Sequence, residues 1–147
     1  MIYFVDEDEL ALGAYAAELR LRGYRVAFLR SAREAFRTLW NASRIEVELV
    51  VIDVMLAPGD ANDRRDTAEA TQGFTTTGLE LVRDLADQNP DVFPARAVLF
   101  TSAVGDARRA ASTCAGELEI ELWDKHPYLS PVHFADDVAR LLTSRGE

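Results

Sequence analysis

Val47-Glu-Leu-Val-Val-Ile-Asp53 is the stretch on which the fold turns. Its four consecutive apolar residues, 49–52, end abruptly at a carboxylate. A short unbroken apolar run bounded by polar residues reads as a strand buried on both faces, the kind found in parallel sheets covered by helices. Similar runs recur on either side of it. Ile2–Val5 stops at Asp6, Tyr24–Leu29 at Arg30, Ala97–Phe100 at Thr101 and Ser102, and Leu118–Trp123 just before Lys125. Between them lie stretches of helical periodicity. Residues 8–22 place Leu12, Ala16 and Leu19 on one face, with Asp8 as N-cap and Gly23 at the position of a C-terminal glycine. Ser31 and Glu34 form a capping box that opens a helix to about Trp40. Thr77 and Glu80 suggest another, opening a helix from Gly78 to about Gln88. Asp106–Ala115 is a weaker helix. Ser130 and Pro131 start a last one, in which Phe134, Val138, Leu141 and Leu142 share a face.

Five strands alternating with five helices predict an α/β fold, a five-stranded parallel sheet covered by helices on both faces. With 147 residues, 48% of them apolar, the chain is sized for a single domain spanning 1–147 with its own core. The one interruption is residues 59–77, polar and threonine-rich, with Phe74 as their only large apolar residue. They read as a long surface loop inserted after the third strand.

Composition excludes several classes. The single cysteine, Cys114, cannot form a disulfide within the chain, which suits a reducing, cytoplasmic setting. The acidic N-terminus is not a signal peptide, and no apolar run approaches the roughly 20 residues of a bilayer span. A net charge of −9 argues against direct nucleic-acid contact. Arg20, Arg22, Arg25, Arg30, Arg33, Arg37 and Arg44 nevertheless crowd one stretch, either as a solvated face or as a docking patch for an acidic partner. Lys125 is the only lysine among 16 basic residues.

In such a fold the ligand site lies beyond the carboxyl ends of the strands. Four strands deliver Asp6, Glu7 and Asp8, then Asp53, then Thr101 and Ser102, then Lys125 to that edge. Crowded carboxylates repel one another unless a cation intervenes. A hard divalent ion such as Mg²⁺ takes one or two of them together with water and phosphate oxygens. The set therefore suits Mg²⁺ beside a phosphoryl group, with a carboxylate as nucleophile. Taken singly, each residue has an ordinary explanation as a turn or cap. It is the agreement of four strand ends that carries the reading.

Ile2-Tyr-Phe-Val-Asp6-Glu7-Asp8, Val-Val-Ile-Asp53-Val-Met-Leu, Leu-Phe-Thr101-Ser102-Ala and Lys125 together resemble the receiver domains of two-component response regulators, from residue 2 to about residue 142. The resemblance implies a flavodoxin-like (βα)5 doubly wound fold with the five-stranded parallel sheet in the order 2-1-3-4-5, and it implies that Asp53 is the phospho-acceptor. It implies that Asp6, Glu7, Asp53 and the main-chain carbonyl of Met55 hold Mg²⁺, and that Thr101 (with Ser102 beside it) and Lys125 contact the phosphoryl group. It further implies a histidine kinase or phosphotransfer protein as donor, a regulatory rather than enzymatic role, a protein-interaction face that switches on phosphorylation, and dimerisation through the last helix as an option. The chain would be a stand-alone receiver or a piece of a longer regulator. A pseudo-receiver, binding a protein independently of phosphate, is the alternative. A haloacid-dehalogenase-type phosphatase is disfavoured because Met55 stands where it needs a second aspartate.

Three departures from the family pattern stand out. Pro58 is one place late, and Gly78 is the nearest match for a glycine the family has about seventeen residues earlier, so residues 59–77 are an insertion that would serve as lid, docking element or disordered tongue. The family lysine precedes a cis-proline, but here the order is Lys125-His126-Pro127. A cis bond before His126 costs about 3–4 kcal/mol, so a rearranged turn and a displaced Lys125 are expected, with His126 a loop residue. Leu122 occupies the position of the family's aromatic switch residue, and Trp123, one place on, would point to the opposite face.

Overall fold

The structure, a computed structural model, describes residues 1–56 and 76–146. Its centre is β3 (Leu49–Ile52), all four residues of which are buried. β1 (Ile2–Val5) pairs with it on one side and β4 (Ala97–Thr101) on the other. β2 (Val26–Leu29) flanks β1, and β5 (Leu122–Asp124) flanks β4. All pairings are parallel, as the alternation predicts, and the order is β2-β1-β3-β4-β5, as the family resemblance implies. Of the insertion read at 59–77, residues 59–75, including Phe74, lie outside the described residues, as does Pro58 before it.

Strand alternation divides the core in two. Ile2, Phe4, Leu49, Val51, Val98 and Phe100 point to the side covered by α1 (Glu9–Leu21) and α5 (Pro131–Gly146), where they meet Leu12, Leu19, Phe134 and Val138. Val5, Val50, Ile52, Ala97 and Leu99 point to the side covered by α2 (Ala32–Leu39), α3 (Thr77–Gln88) and α4 (Gly105–Leu118). The caps at Asp8, Ser31 and Ser130 are as expected. Each oxygen accepts from a backbone N–H three residues on, at 3.0–3.1 Å. Gly23 has φ +95, a left-handed conformation that glycine adopts without strain.

β2 and β3 each begin two residues later than the sequence reading, at Val26 and Leu49, and two further boundaries differ for reasons of packing. Leu118 and Ile120 are not strand residues. α4 runs on to Leu118, and Glu119 ends it in the left-handed conformation, φ 57. Alternation of Leu118, Ile120 and Leu122 mimics a strand, but Ala111, Cys114, Ala115 and Leu118 also share a helical face that packs on the core, and that burial wins. The Thr77/Glu80 capping box also does not form. Thr76 is the N-cap and Thr77 is the buried first residue of α3. The Gly78 N–H donates to Val54 O at 2.9 Å, which pins the helix start one position earlier.

That same glycine sets how closely α3 approaches the end of β3. A Cβ on Gly78 would lie 2.0 Å from Asp53 O and 2.9 Å from Val54 Cα, which only backbone movement relieves. Gly13 and Gly116, within helices, have open space where a Cβ would go. Gly78→Ala is therefore expected to lower the unfolding free energy by about 1–3 kcal/mol or more. Gly13→Ala and Gly116→Ala are expected to raise it by about 0.5–1 kcal/mol each. Urea midpoints of the three variants check both signs.

Candidate functional site

In-register pairing of β1 with β3 matches Val5 with Ile52, so the next residues, Asp6 and Asp53, leave the sheet side by side. The Asp53 N–H donates to Val5 O at 2.9 Å and the Asp6 N–H to Leu29 O at 2.9 Å, which holds both main chains in the ladder to its end. This is the topological switch point, where the chain first turns to β2 on one side and then to β3 on the other. Both carboxylates are nearly out of solvent: Asp6 is 2% and Asp53 8% exposed.

Lys125 closes the group. Its Nζ donates to Asp6 Oδ2 at 2.5 Å and stands 3.5 Å from Asp53 Oδ2. The expected displacement of this lysine does not occur. The Lys125 N–H donates to Thr101 O at 2.9 Å, extending the β4–β5 ladder by one residue and aiming the side chain over the strand ends. The Lys125–His126 bond is trans, so no costly cis bond is required, and His126 is exposed. Phe100, whose ring centroid is 5.5 Å from Nζ, provides a floor.

The remaining groups are fixed locally. Asp6 Oδ1 accepts from the Asp8 N–H at 2.9 Å, and Asp53 Oδ1 from the Met55 N–H at 3.2 Å. Thr101 is fully buried, and its Oγ1 accepts from the Ala103 N–H at 2.9 Å, so the hydroxyl is held by its own turn. Ser102 and Glu7 are exposed, and Met55 is at the rim with 37% exposure. The structure thus brings together Asp6, Asp53 and Lys125. It places Thr101 at the adjacent strand end, and leaves Glu7 and Ser102 exposed at the rim. The sequence reading missed the supporting contacts of Gly78 and Phe100. Gly78 was visible as the family's glycine, but no local pattern marks a contact made by helix packing.

Burial lifts the Asp53 carboxyl to about 6. Lys125 opposes the rise, and the neighbouring Asp6 charge adds to it. Two near-buried carboxylates sharing one ammonium are still short of positive charge. Their hard oxygens, with the Met55 carbonyl and Glu7 at the rim, fit a divalent cation such as Mg²⁺, for which two carboxylates suffice. Among the described residues no three acidic, imidazole or thiol side chains converge, so Glu7 is not gathered with the other two.

The arginine stretch is partly neutralised within the chain. Arg22 pairs with Glu18 and Asp136, and Arg30 with Glu9. Among the described residues, no helix is long and apolar enough to cross a membrane.

No protein-family model and no curated protein matches the sequence. Solved structures do. A CheY-like response regulator receiver domain protein from Methanospirillum hungatei superposes with a TM-score of 0.70 at 16% identity, over 99% of this chain and 94% of that one. The receiver domain of a signal transduction histidine kinase from Syntrophus aciditrophicus gives 0.64 at 20%, over 97% and 89%. A response regulator from Burkholderia pseudomallei, with a phosphorylated aspartic acid, calcium ion and citrate, gives 0.59 at 21%, over 98% and 71%. The fold is that of the CheY-like response regulator receiver domains.

The raised Asp53 value has a sign that can be tested. The unfolded carboxyl titrates near its ordinary value of about 4, so the folded state holds the proton more tightly. That contribution is fully present below about pH 4 and is lost as pH rises through about 6. At pH 7 the ionised group costs about 2–3 kcal/mol. Without divalent metal, Asp53→Asn is expected to be more stable than the parent by about 2 kcal/mol at pH 7 and nearly equal to it at pH 4. Denaturant unfolding at the two pH values measures the difference.

Proposed function

We propose that the chain is a phosphorylatable receiver domain of a two-component signalling system, with Asp53 as phospho-acceptor. The observation that carries this reading is the contact of Lys125 Nζ with both Asp6 and Asp53 at the carboxyl edge of the sheet. The neighbouring Burkholderia structure, with its phosphorylated aspartic acid and calcium ion, is consistent with an acidic edge of this fold accepting a phosphoryl group beside a divalent cation.

The chemistry follows from the geometry. The Met55 N–H fixes Asp53 Oδ1 and leaves Oδ2, in its longer contact with Lys125, as the attacking oxygen. An O–P bond forms to Asp53 as the bond from phosphorus to the donor breaks, and the electron pair leaves with the donor, a phosphohistidine nitrogen of a kinase or phosphotransfer protein, or acetate. Lys125, whose ammonium lies beside both the Asp6 and Asp53 carboxylates, can follow the charge from the Asp53 carboxylate to a phosphoryl oxygen. Mg²⁺, held by Asp6, Asp53 and the Met55 carbonyl with Glu7 at the rim, would supply charge neutralisation for the phosphoryl oxygens. Thr101 is the hydroxyl that would read the product: its Oγ1 accepts from the Ala103 N–H, and its O–H is the donor that a phosphoryl oxygen would draw. The role is regulatory, with catalysis limited to the domain's own phosphorylation and dephosphorylation.

One observation favours the pseudo-receiver as a second reading. Leu122 packs on the α4 side, while Trp123 packs against Phe134 on the α5 side, with ring centroids 5.7 Å apart. The aromatic that would couple to Thr101 is thus on the opposite face. Intact mass after incubation with acetyl phosphate and Mg²⁺ separates the two. A receiver gains about 80 Da, the mass of an added phosphoryl group, and Asp53→Asn does not. An unchanged mass, together with no Mg²⁺ binding, establishes the pseudo-receiver. Mg²⁺ binding without an adduct points to the insertion, and a variant lacking residues 61–75 is then expected to label.

A further inference from the structure

At the end of the sheet opposite Asp53, three arginines from separate parts of the chain line one cavity of about 220 Å³. Arg44 comes from the loop between α2 and β3, Arg96 immediately precedes β4, and Arg145 lies in the last turn of α5. Asp91 and Ala95 complete the wall. We propose that this cavity is a second, anion-binding site that takes a small multivalent oxyanion of the phosphate or polycarboxylate type.

The argument begins with pairing. In a chain with net charge −9, arginines have carboxylates to choose from. Arg30, Arg83, Arg108 and Arg109 each take one, and Arg22 and Arg140 take two. Arg44, Arg96 and Arg145 have no carboxylate within ion-pair distance among the described residues. Their partners are main-chain carbonyls: Asp91 O at 2.7 Å for Arg44 Nε, Val47 O at 3.5 Å for Arg96 Nη1, and Ala97 O at 3.5 Å for Arg145 Nη2.

Arg145 supplies a second, independent observation. Its Nη1 is buried and, among the described residues, has no hydrogen-bond acceptor. A buried donor without an acceptor costs about 1–3 kcal/mol, and more when it is charged. Burial and the neighbouring Arg96 charge both weaken the hold of Arg145 on its proton, and the more distant Glu121 carboxylate opposes them only in part. A water molecule would satisfy the N–H and leave the repulsion. A multivalent oxyanion answers both, because it accepts from planar guanidinium forks and offsets charges that Asp91 in the wall and the more distant Glu121 do not balance. The site is independent of the phospho-acceptor reading.

Equilibrium dialysis of the full chain against labelled inorganic phosphate, and separately against labelled citrate, tests the proposal in metal-free buffer at constant ionic strength. Saturable one-to-one binding of either anion is expected, and which one binds identifies the chemistry. Arg96→Gln and Arg145→Gln should each weaken it at least tenfold with circular dichroism unchanged. Arg145→Lys, which keeps the charge and loses the fork, should weaken it less. Lys125→Met, at the far end of the sheet, should leave it unaltered. Absence of saturable binding of both anions, parental affinity in the two glutamine variants, or loss of binding in Lys125→Met would each overturn the site.

Discussion

Two like charges are held together against their own repulsion by the register of a parallel sheet. Because β1 and β3 pair Val5 with Ile52, the residues that follow have nowhere to go but the same edge, and both are aspartates. The backbone bonds of Asp6 to Leu29 and of Asp53 to Val5 prevent either from moving away. The rest of the edge answers this constraint. Lys125 bridges the two carboxylates, Phe100 lies beneath the ammonium, and Gly78 lets α3 press against the main chain of Asp53 where any side chain would collide with it.

Such an arrangement trades stability for reactivity. A carboxylate driven out of water, beside another of the same charge and only partly compensated, is poised to accept either a cation or an electrophile. The helices that cover the sheet keep the strands in register. The fixed hydrogen bonds at Asp6 Oδ1 and Asp53 Oδ1 leave the two Oδ2 atoms facing one ammonium. On the reading proposed here, phosphorylation and metal binding act on one pre-set electrostatic imbalance.

Much of this was legible in the sequence, for identifiable reasons. Apolar runs that stop at charged residues reveal buried parallel strands and what stands at their ends, so Asp6, Asp53, Thr101 and Lys125 could be named from their positions. Caps at Asp8, Ser31 and Ser130 are local hydrogen-bonding patterns and read directly. Where local patterns compete, the reading failed. Leu118 fits both a strand and a helix, and tertiary burial chose the helix. Thr77 was displaced from its cap by the bond between Gly78 and Val54, a contact across 24 positions of chain. Lys125 was expected to be displaced because His126 intervenes before Pro127, yet the sheet ladder carries on through the lysine and holds it. The arginines at the far end share no motif at all. They meet only because a loop, a strand start and a helix end converge beneath the sheet.

The claim on which the functional account rests is that the reactive oxygen belongs to Asp53 and to no other carboxylate at this edge. Borohydride reduction after incubation with acetyl phosphate and Mg²⁺ converts an aspartyl phosphate to homoserine, and peptide mass mapping then locates it. Homoserine at position 53 alone is the expected result. Homoserine at Asp6 or another aspartate, hydroxynorvaline (the product from a glutamyl phosphate) at Glu7 or another glutamate, or no reduced residue in a protein that has gained phosphate, would contradict the account.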